Sequence, residues 1–293
     1  MSNTTAGLRR KIEGAKDLRS VVRTMKAVAA SSIGQYENSV RALSDYFRAV
    51  ELGLISCLQG TGQAIPFAEE KKRSTSTDAV VFGSDQGLVG RFNDVVSDFA
   101  LETLLKLPGE FRVWAVGERV HGRLIDSGLP VLALFELPAS VQGIVPLIGE
   151  ILMESEKLRS REEGSELYLF YNRPKSAAVY SPIAQRLLPL DHEWLRNLNL
   201  TSWPAGRYSQ VFGGRAAALR ALVNEYLFVS LFRACAESLA SENASRLAAM
   251  QRADQNIDEL LKGLSGTFHR MRKDSIDEEL FEVIASFDSL NGD

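Results

Sequence analysis

The sequence predicts an α/β chain: a long antiparallel coiled coil of N- and C-terminal helices flanking a mostly parallel βαβ domain. Three observations predict it. All nine prolines fall between Pro66 and Pro204, so both ends of the chain are free of the strongest helix breaker. Apolar residues in both end segments recur in alternating steps of four and three, the spacing of a coiled-coil seam. Between them, short apolar runs alternate with helical stretches, the pattern of βαβ units.

The first helix, expected over residues 1–58, begins near Thr5, whose hydroxyl suits an N-cap. Its seam runs through Leu8, Ile12, Ala15, Val22, Ala29, Ile33, Tyr36, Val40, Leu43, Phe47, Val50, Leu54 and Cys57. Only Arg19 and Lys26 interrupt that register. Around 50 helical residues span roughly 75 Å and carry a partner-facing stripe along the whole length. From Gly60 to Thr77 the composition shifts to Gly, Gln, Glu, Lys, Ser and Thr, which marks 59–76 as a linker.

Residues 77–208 form the mixed domain. Apolar runs at 79–82, 111–116, 131–135 and 166–171 are the expected strands, with helices near 92–106, 118–127 and 140–158. A last run from Ala178 through Ile183 to Leu190 suits an edge strand, where Pro182 is tolerated. The C-terminal helix, within 209–293, extends from about Gly213 to Leu290. Its later seam is Ile257, Leu261, Leu264, Phe268 and Met271, then Ile276, Leu280, Val283, Phe287 and Leu290. Upstream, Ala234, Ser238, Ser241, Ala244, Ser245, Ala248 and Ala249 present small side chains that let a partner helix approach closely. Some 75 helical residues make a rod of about 110 Å, far beyond an ordinary domain helix. The periodicity fits both a bundle-core helix and a coiled-coil arm; the matching stripe at the other end of the chain favours antiparallel pairing of the two.

The 293 residues are 45% hydrophobic and 24% charged with a net charge of −3, the profile of a soluble, foldable chain without the basic excess of a nucleic-acid binder. No run of about 18 apolar residues and no signal peptide are present, which predicts cytoplasmic residence. Cys57 and Cys235 fall in predicted helices with no metal-type spacing and are expected to be reduced and buried. Charge is segregated. Arg9, Arg10, Lys11, Lys16, Arg19, Arg23 and Lys26 outnumber Glu13 and Asp17 in the first helix, whereas Asp274, Asp277, Glu278, Glu279, Glu282, Asp288 and Asp293 have no basic residue among them. Such runs are read either as solvated faces or as a positive belt awaiting an acidic partner.

The chain carries little that points to chemistry. Gly83-Ser-Asp-Gln-Gly-Leu-Val-Gly90 follows the first strand, as a phosphate-cradling loop does, yet it matches neither G-x-G-x-x-G nor a P-loop. A tight strand-to-helix turn, with Asp85 and Asn93 as local hydrogen-bonding residues, is the preferred reading. His121, His192 and His269 lie in separate segments without metal-ligand spacing. No nucleophile motif is present, so no catalytic, cofactor-binding or metal-binding residues are expected.

Leu8-Arg-Arg-Lys-Ile12, Thr24-Met-Lys-Ala-Val-Ala-Ala-Ser31, Ser84-Asp-Gln-Gly-Leu-Val-Gly90 with Asn93, and Ala236-Glu-Ser-Leu-Ala-Ser-Glu-Asn-Ala-Ser-Arg-Leu-Ala-Ala-Met250 together resemble the gamma subunit of F-type ATP synthases over nearly the whole chain. The resemblance implies a Rossmann-like foot domain and a non-catalytic rotor shaft. One copy would stand within three alpha and three beta subunits, with the epsilon subunit and the membrane c-ring at the foot and no nucleic acid among the partners. It implies a peripheral location on the cytoplasmic face of the bacterial inner membrane, coupling proton or sodium flow to ATP synthesis or hydrolysis. It also implies beta-subunit contacts at Met25, Lys26, Arg246, Arg272 and Lys273, and an apolar shaft tip at Val283, Phe287 and Leu290.

The chain departs from the family pattern at several points. The family's Arg-Gln pair falls on Arg272 and Lys273, Ile276-Asp-Glu-Glu279 replaces an Ile-Thr-x-Glu stretch, and Ser286-Phe287 replaces Gly-Ala. Thr201-Ser-Trp-Pro204 lacks the acid of a Tyr-x-Glu-Pro-like segment, leaving Trp203 in its place. Gly263 and Gly266 lie inside the rod, each costing up to ~1 kcal/mol relative to Ala. These departures point to a divergent branch, such as a second ATPase operon's version. Two rival readings are a nucleotide-binding α/β enzyme, which requires ligand binding by 77–208, and a non-rotary coiled-coil scaffold, which requires a homodimer through the rods.

Overall fold

The computed structural model describes residues 4–58, 76–159, 165–176, 179–190 and 214–290, with side chains in the last helix described through residue 286. The elements in order are helix α1 (Thr5–Leu58), strand β1 (Ser76–Phe82), α2 (Phe92–Leu104), β2 (Glu110–Val116) and α3 (Glu118–Asp126). Then follow β3 (Val131–Phe135), a short 3₁₀ turn (Val141–Gly143), α4 (Ile144–Arg159), β4 (Glu166–Ser176), β5 (Val179–Leu188) and α5 (Arg215–Leu290). The five expected strands and both end helices are present. The N-cap lies one residue earlier than expected: Thr4 Oγ1 accepts from the Gly7 N–H at 3.2 Å and the Thr4 carbonyl accepts from Leu8, so Thr5 is already helical. β1 starts at Ser76, the last residue of the expected linker, because Ser76 and Thr77 are buried beside Glu110 and Phe111 of β2. The remaining linker residues, and Thr201–Pro204 with Trp203, lie outside the described residues.

The chain divides into two compact units, residues 1–28 with 247–293, and residues 29–246. In the larger unit the sheet order is β3-β2-β1-β4-β5. β1 pairs in parallel with both β2 and β4, β2 in parallel with β3, and β5 runs antiparallel at the edge. Pro182 sits in that edge strand opposite Asn172, where a missing N–H is tolerated. All seven residues of β1 are buried, as a central parallel strand covered on both faces requires. One face holds Ala79, Val81, Val113, Ala115 and Phe170 against Val96, Ala100 and Leu104 of α2 and Val120 and Leu124 of α3. The other holds Val80, Phe82, Trp114, Val116, Leu169 and Tyr171 within a larger core shared by α4, the later part of α1 and the early part of α5.

Two polar residues are built into this sheet. Asp78 on β1 stands beside Arg112 on β2, and the Arg112 Nε donates to its carboxylate at 2.7 Å. Asn172 on β4 is fully buried and donates its side-chain amide to the Phe92 carbonyl at 2.9 Å, tying the strand to the start of α2. Within this unit α1 and α5 pack antiparallel. Tyr46 donates to Glu225 and Phe47 faces Tyr226, while Tyr36, ten residues earlier, lies beside Cys235. Cys57 and Cys235 are free and buried, and burial pushes the Cys235 thiol far up.

Candidate interaction surface

In the smaller unit the two end helices meet along the predicted seam. Leu8, Ala15 and Val22 are buried, and Val22 packs with Met250 and Ile257, flanked by Met25, Ala249, Ala253 and Leu261. The two positions that break the apolar register, Arg19 and Lys26, point at acids on α5. Arg19 Nη2 is 2.7 Å from Asp258, and Arg19, Arg23 and Lys26 reach Asp254 at 3.6, 3.4 and 3.4 Å. Partial desolvation opposes ionisation of Asp254, but the Lys26 ammonium and Arg23 guanidinium prevail and hold its carboxyl below the usual range. Part of the positive belt on α1 is thus answered within the chain.

Past Met271, which is half-buried, every residue of α5 from 272 to 286 is exposed. Arg272 and Lys273 open this stretch. Ile276, Leu280, Phe281 and Val283 follow it, the last two 69% and 66% exposed. They sit among Asp274, Asp277, Glu278, Glu279 and Glu282, so an apolar stripe with acidic flanks is left uncovered by the described residues. Large apolar residues in such a row mark a surface built for another protein. The expected contact residues are therefore placed differently. Arg272, Lys273 and Val283 are open to solvent, Met25 and Lys26 are half-buried in the seam, and Arg246 is only 13% exposed, its guanidinium 2.5 Å from Glu242. Burial pushes the Glu242 carboxyl up, against the pull of Arg246. The side chains of Phe287 and Leu290 lie outside those described.

In the larger unit the loop after β1 forms the expected tight turn. The Asn93 side chain accepts from the Ser84 N–H at 2.9 Å and donates to the Ser84 hydroxyl at 2.8 Å. Asp85 accepts from the Glu118 N–H at the start of α3 and from the Leu137 N–H beyond β3, clamping three loops together. Gly83 is required there, because a Cβ would stand 2.2 Å from the Val120 side chain. Leu88 adopts φ 65° and Gly90 φ 59°. The intervening Val89 carbonyl accepts from Ser245 Oγ of α5 at 2.6 Å. The glycine loop thus serves packing and helix docking. Among the described residues no cluster of His, Cys, Asp or Glu is arranged to hold a metal ion.

The sequence profile of the ATP synthase family matches residues 4–290. The chain belongs to the ATP synthase gamma-chain family. The ATP synthase gamma chain of Brevibacillus brevis is 26% identical over 282 residues, covering 95% of this chain and 96% of the relative. That of Bdellovibrio bacteriovorus is 25% identical over 308 residues, covering 97% and 98%. Among solved structures, a chain of the Euglena gracilis mitochondrial ATP synthase OSCP/F1/c-ring assembly in rotational state 3 shares the fold with a TM-score of 0.68 at 19% identity, covering 98% of this chain and 95% of that one. A chain of the Tetrahymena thermophila mitochondrial ATP synthase central stalk and c-ring aligns with a TM-score of 0.56 at 22% identity, covering 80% and 99%.

Against this gamma-chain fold, sequence reasoning located the seam but not the acids that complete it. Asp254 and Asp258 sit one and two turns beyond buried Met250 and look like ordinary helix-surface acids. The available signal was the pair of cations at seam positions in α1, since a polar residue in a seam needs a partner opposite. Glu237, which accepts from Arg173 at 2.9 Å and Arg233 at 2.7 Å, was likewise missed.

Proposed function

We propose that this chain acts as the central shaft of an F-type ATP synthase, a non-catalytic rotor that couples ion flow through a membrane ring to ATP chemistry at alpha–beta sites. The observation that carries this reading is the family match across residues 4–290. The geometry supplies what a shaft needs: two uninterrupted helices in antiparallel contact and a stretch of α5 that the described residues leave uncovered. A single asymmetric shaft presents a different face to each of three surrounding sites. A contact difference of ~1.4 kcal/mol shifts nucleotide affinity tenfold, so modest differences between faces are enough to order binding, synthesis and release.

Within that role, Arg272 and Lys273 meet acidic loops of beta, with Met25, Lys26 and Arg246 in the same region, and the apolar stripe through Val283, Phe287 and Leu290 serves as the low-friction tip. Residues 1–58 and 209–293 make the shaft and 77–208 the foot, which meets epsilon and the c-ring. The complex sits on the cytoplasmic face of a bacterial inner membrane, with this chain peripheral; among the described residues no helix is long and apolar enough to cross a membrane.

A rotation assay tests the role. Cys57 and Cys235 are buried, so a single exposed cysteine introduced by Lys106→Cys accepts a bead on the foot. With alpha and beta subunits fixed to a surface, ATP drives rotation in one direction. A complex that hydrolyses ATP while the bead only diffuses would overturn the reading.

A further inference from the structure

We propose that residues 234–245 of α5 form the torque joint between foot and shaft, fastened by Ser241, Ser245 and Glu237 in the crevice where an open α/β sheet otherwise holds a ligand. The proposal rests on the rotor reading. In the sheet the chain leaves β1 for β2 and β3 on one side and returns to β4 on the other, so the topological switch point lies at the carboxyl ends of β1 and β4. Open α/β sheets bind ligands at that point. Val81 pairs with Phe170, which puts Asn172 and Arg173 of β4 just beyond the end of β1, facing the loop that carries Val89.

α5 occupies this place. Ser241 Oγ donates to the Asn172 carbonyl at 2.9 Å, and Ser245 Oγ donates to the Val89 carbonyl at 2.6 Å. Glu237 accepts from Arg173 Nε at 2.9 Å. Both edges of the crevice are therefore bonded to one helix, and Asn172 passes the connection on to Phe92 of α2. Ala234, Ala236, Ser238, Ala240 and Ser241 are at most 2% exposed, and every residue from 234 to 244 is buried, so the helix is gripped around its full circumference. Small side chains permit that approach. Apolar contact is non-directional and yields to sliding, whereas a hydrogen bond to a fixed backbone carbonyl weakens steeply when its angle changes. Serines aimed at Asn172 and Val89 thus resist rotation of α5 about its axis, the motion that load on a shaft produces. Leu88 and Gly90, both at positive φ, flank Val89 and turn its carbonyl toward the helix.

The test uses the assembled membrane complex carrying Ser241→Ala and Ser245→Ala together, with Glu237→Gln as a second variant that keeps side-chain shape. ATP hydrolysis and ATP-driven ion pumping are measured on the same vesicles. The expected result is hydrolysis close to that of the unmodified complex with pumping per ATP reduced about threefold, the scale of hydrogen bonds that are each worth a few-fold in an equilibrium. The Glu237→Gln variant is expected to lose less. Pumping per ATP unchanged in both variants would overturn the joint. Failure of the unmodified chain to assemble with alpha and beta subunits would instead overturn the rotor reading, so the two failures are distinguishable.

Discussion

Lys26 Nζ lies 3.4 Å from Asp254 Oδ2, a cation in a seam position of one end helix answered by a carboxylate of the other. Arg19, one heptad earlier, makes the same match with Asp254 and Asp258. A polar pair inside an otherwise apolar seam fixes register, because sliding the helices by a turn would leave these cations facing Ile257 or Met250.

Asp254 therefore makes pairing in the smaller unit sensitive to acid. Its carboxyl titrates below its ordinary value in the folded chain, so its contribution is fully present above that ordinary value, near 3.8, and is lost as pH falls through the depressed one. Protection factors of residues 15–28, taken relative to the intrinsic amide exchange rate at each pH, are expected to fall as the pH is lowered from 7 to 3. In Asp254→Asn the protection is expected to be lower at pH 7 and to change less with pH; identical protection profiles in the two proteins would show that Asp254 does not set the register.

Arg272 and Lys273 are exposed and outside the seam, so replacing both by Ala leaves the fold intact. Thermal unfolding is expected to move little, as for exposed positions, within about 0.5 kcal/mol. ATP-driven pumping by the assembled complex is expected to weaken. Unchanged pumping would count against these residues as beta contacts.

Gly83→Ala places a methyl group 2.2 Å from the Val120 side chain and 2.7 Å from Asn93 Oδ1. Neither neighbour is free to retreat, since Val120 is fully buried and Asn93 is bonded to Ser84. Overpacking of this kind costs roughly 1–3 kcal/mol. Denaturant titration is expected to show that loss, and a neutral result would mean that the loop repacks.

Arg112→Met removes the partner of a carboxylate that is 1% exposed on the central strand. Leaving a buried charge uncompensated costs around 3–5 kcal/mol, the upper end applying where water cannot enter. The variant is expected to unfold at much lower denaturant, while Asp78→Asn combined with it recovers part of the loss.

The parts of this architecture that rest on periodicity were legible in the sequence. Seam residues from Leu8 to Leu54 are buried or half-buried because one spacing serves both helices, and the strand runs stood out because β1, β2 and β4 are covered on both faces. Periodicity does not say what covers a stripe. Ile276, Leu280 and Val283 continue the spacing of Ile257 and Leu261, yet α1 begins at Thr5 and leaves them exposed. Ser241 and Ser245 were legible as small residues only. Their acceptors are backbone carbonyls of Asn172 and Val89, groups that every residue carries and that leave no mark in a sequence. Arg246 illustrates a third limit: its charge is evident, but its closure onto Glu242 depends on how deeply α5 is packed.

Native mass spectrometry of the tagged chain co-expressed with alpha and beta subunits tests the central claim most directly. A complex of one copy with three alpha and three beta subunits is the predicted result. A free monomer or a self-dimer, recovered while alpha and beta subunits assemble without it, would contradict the shaft role, and the self-dimer would favour the scaffold reading.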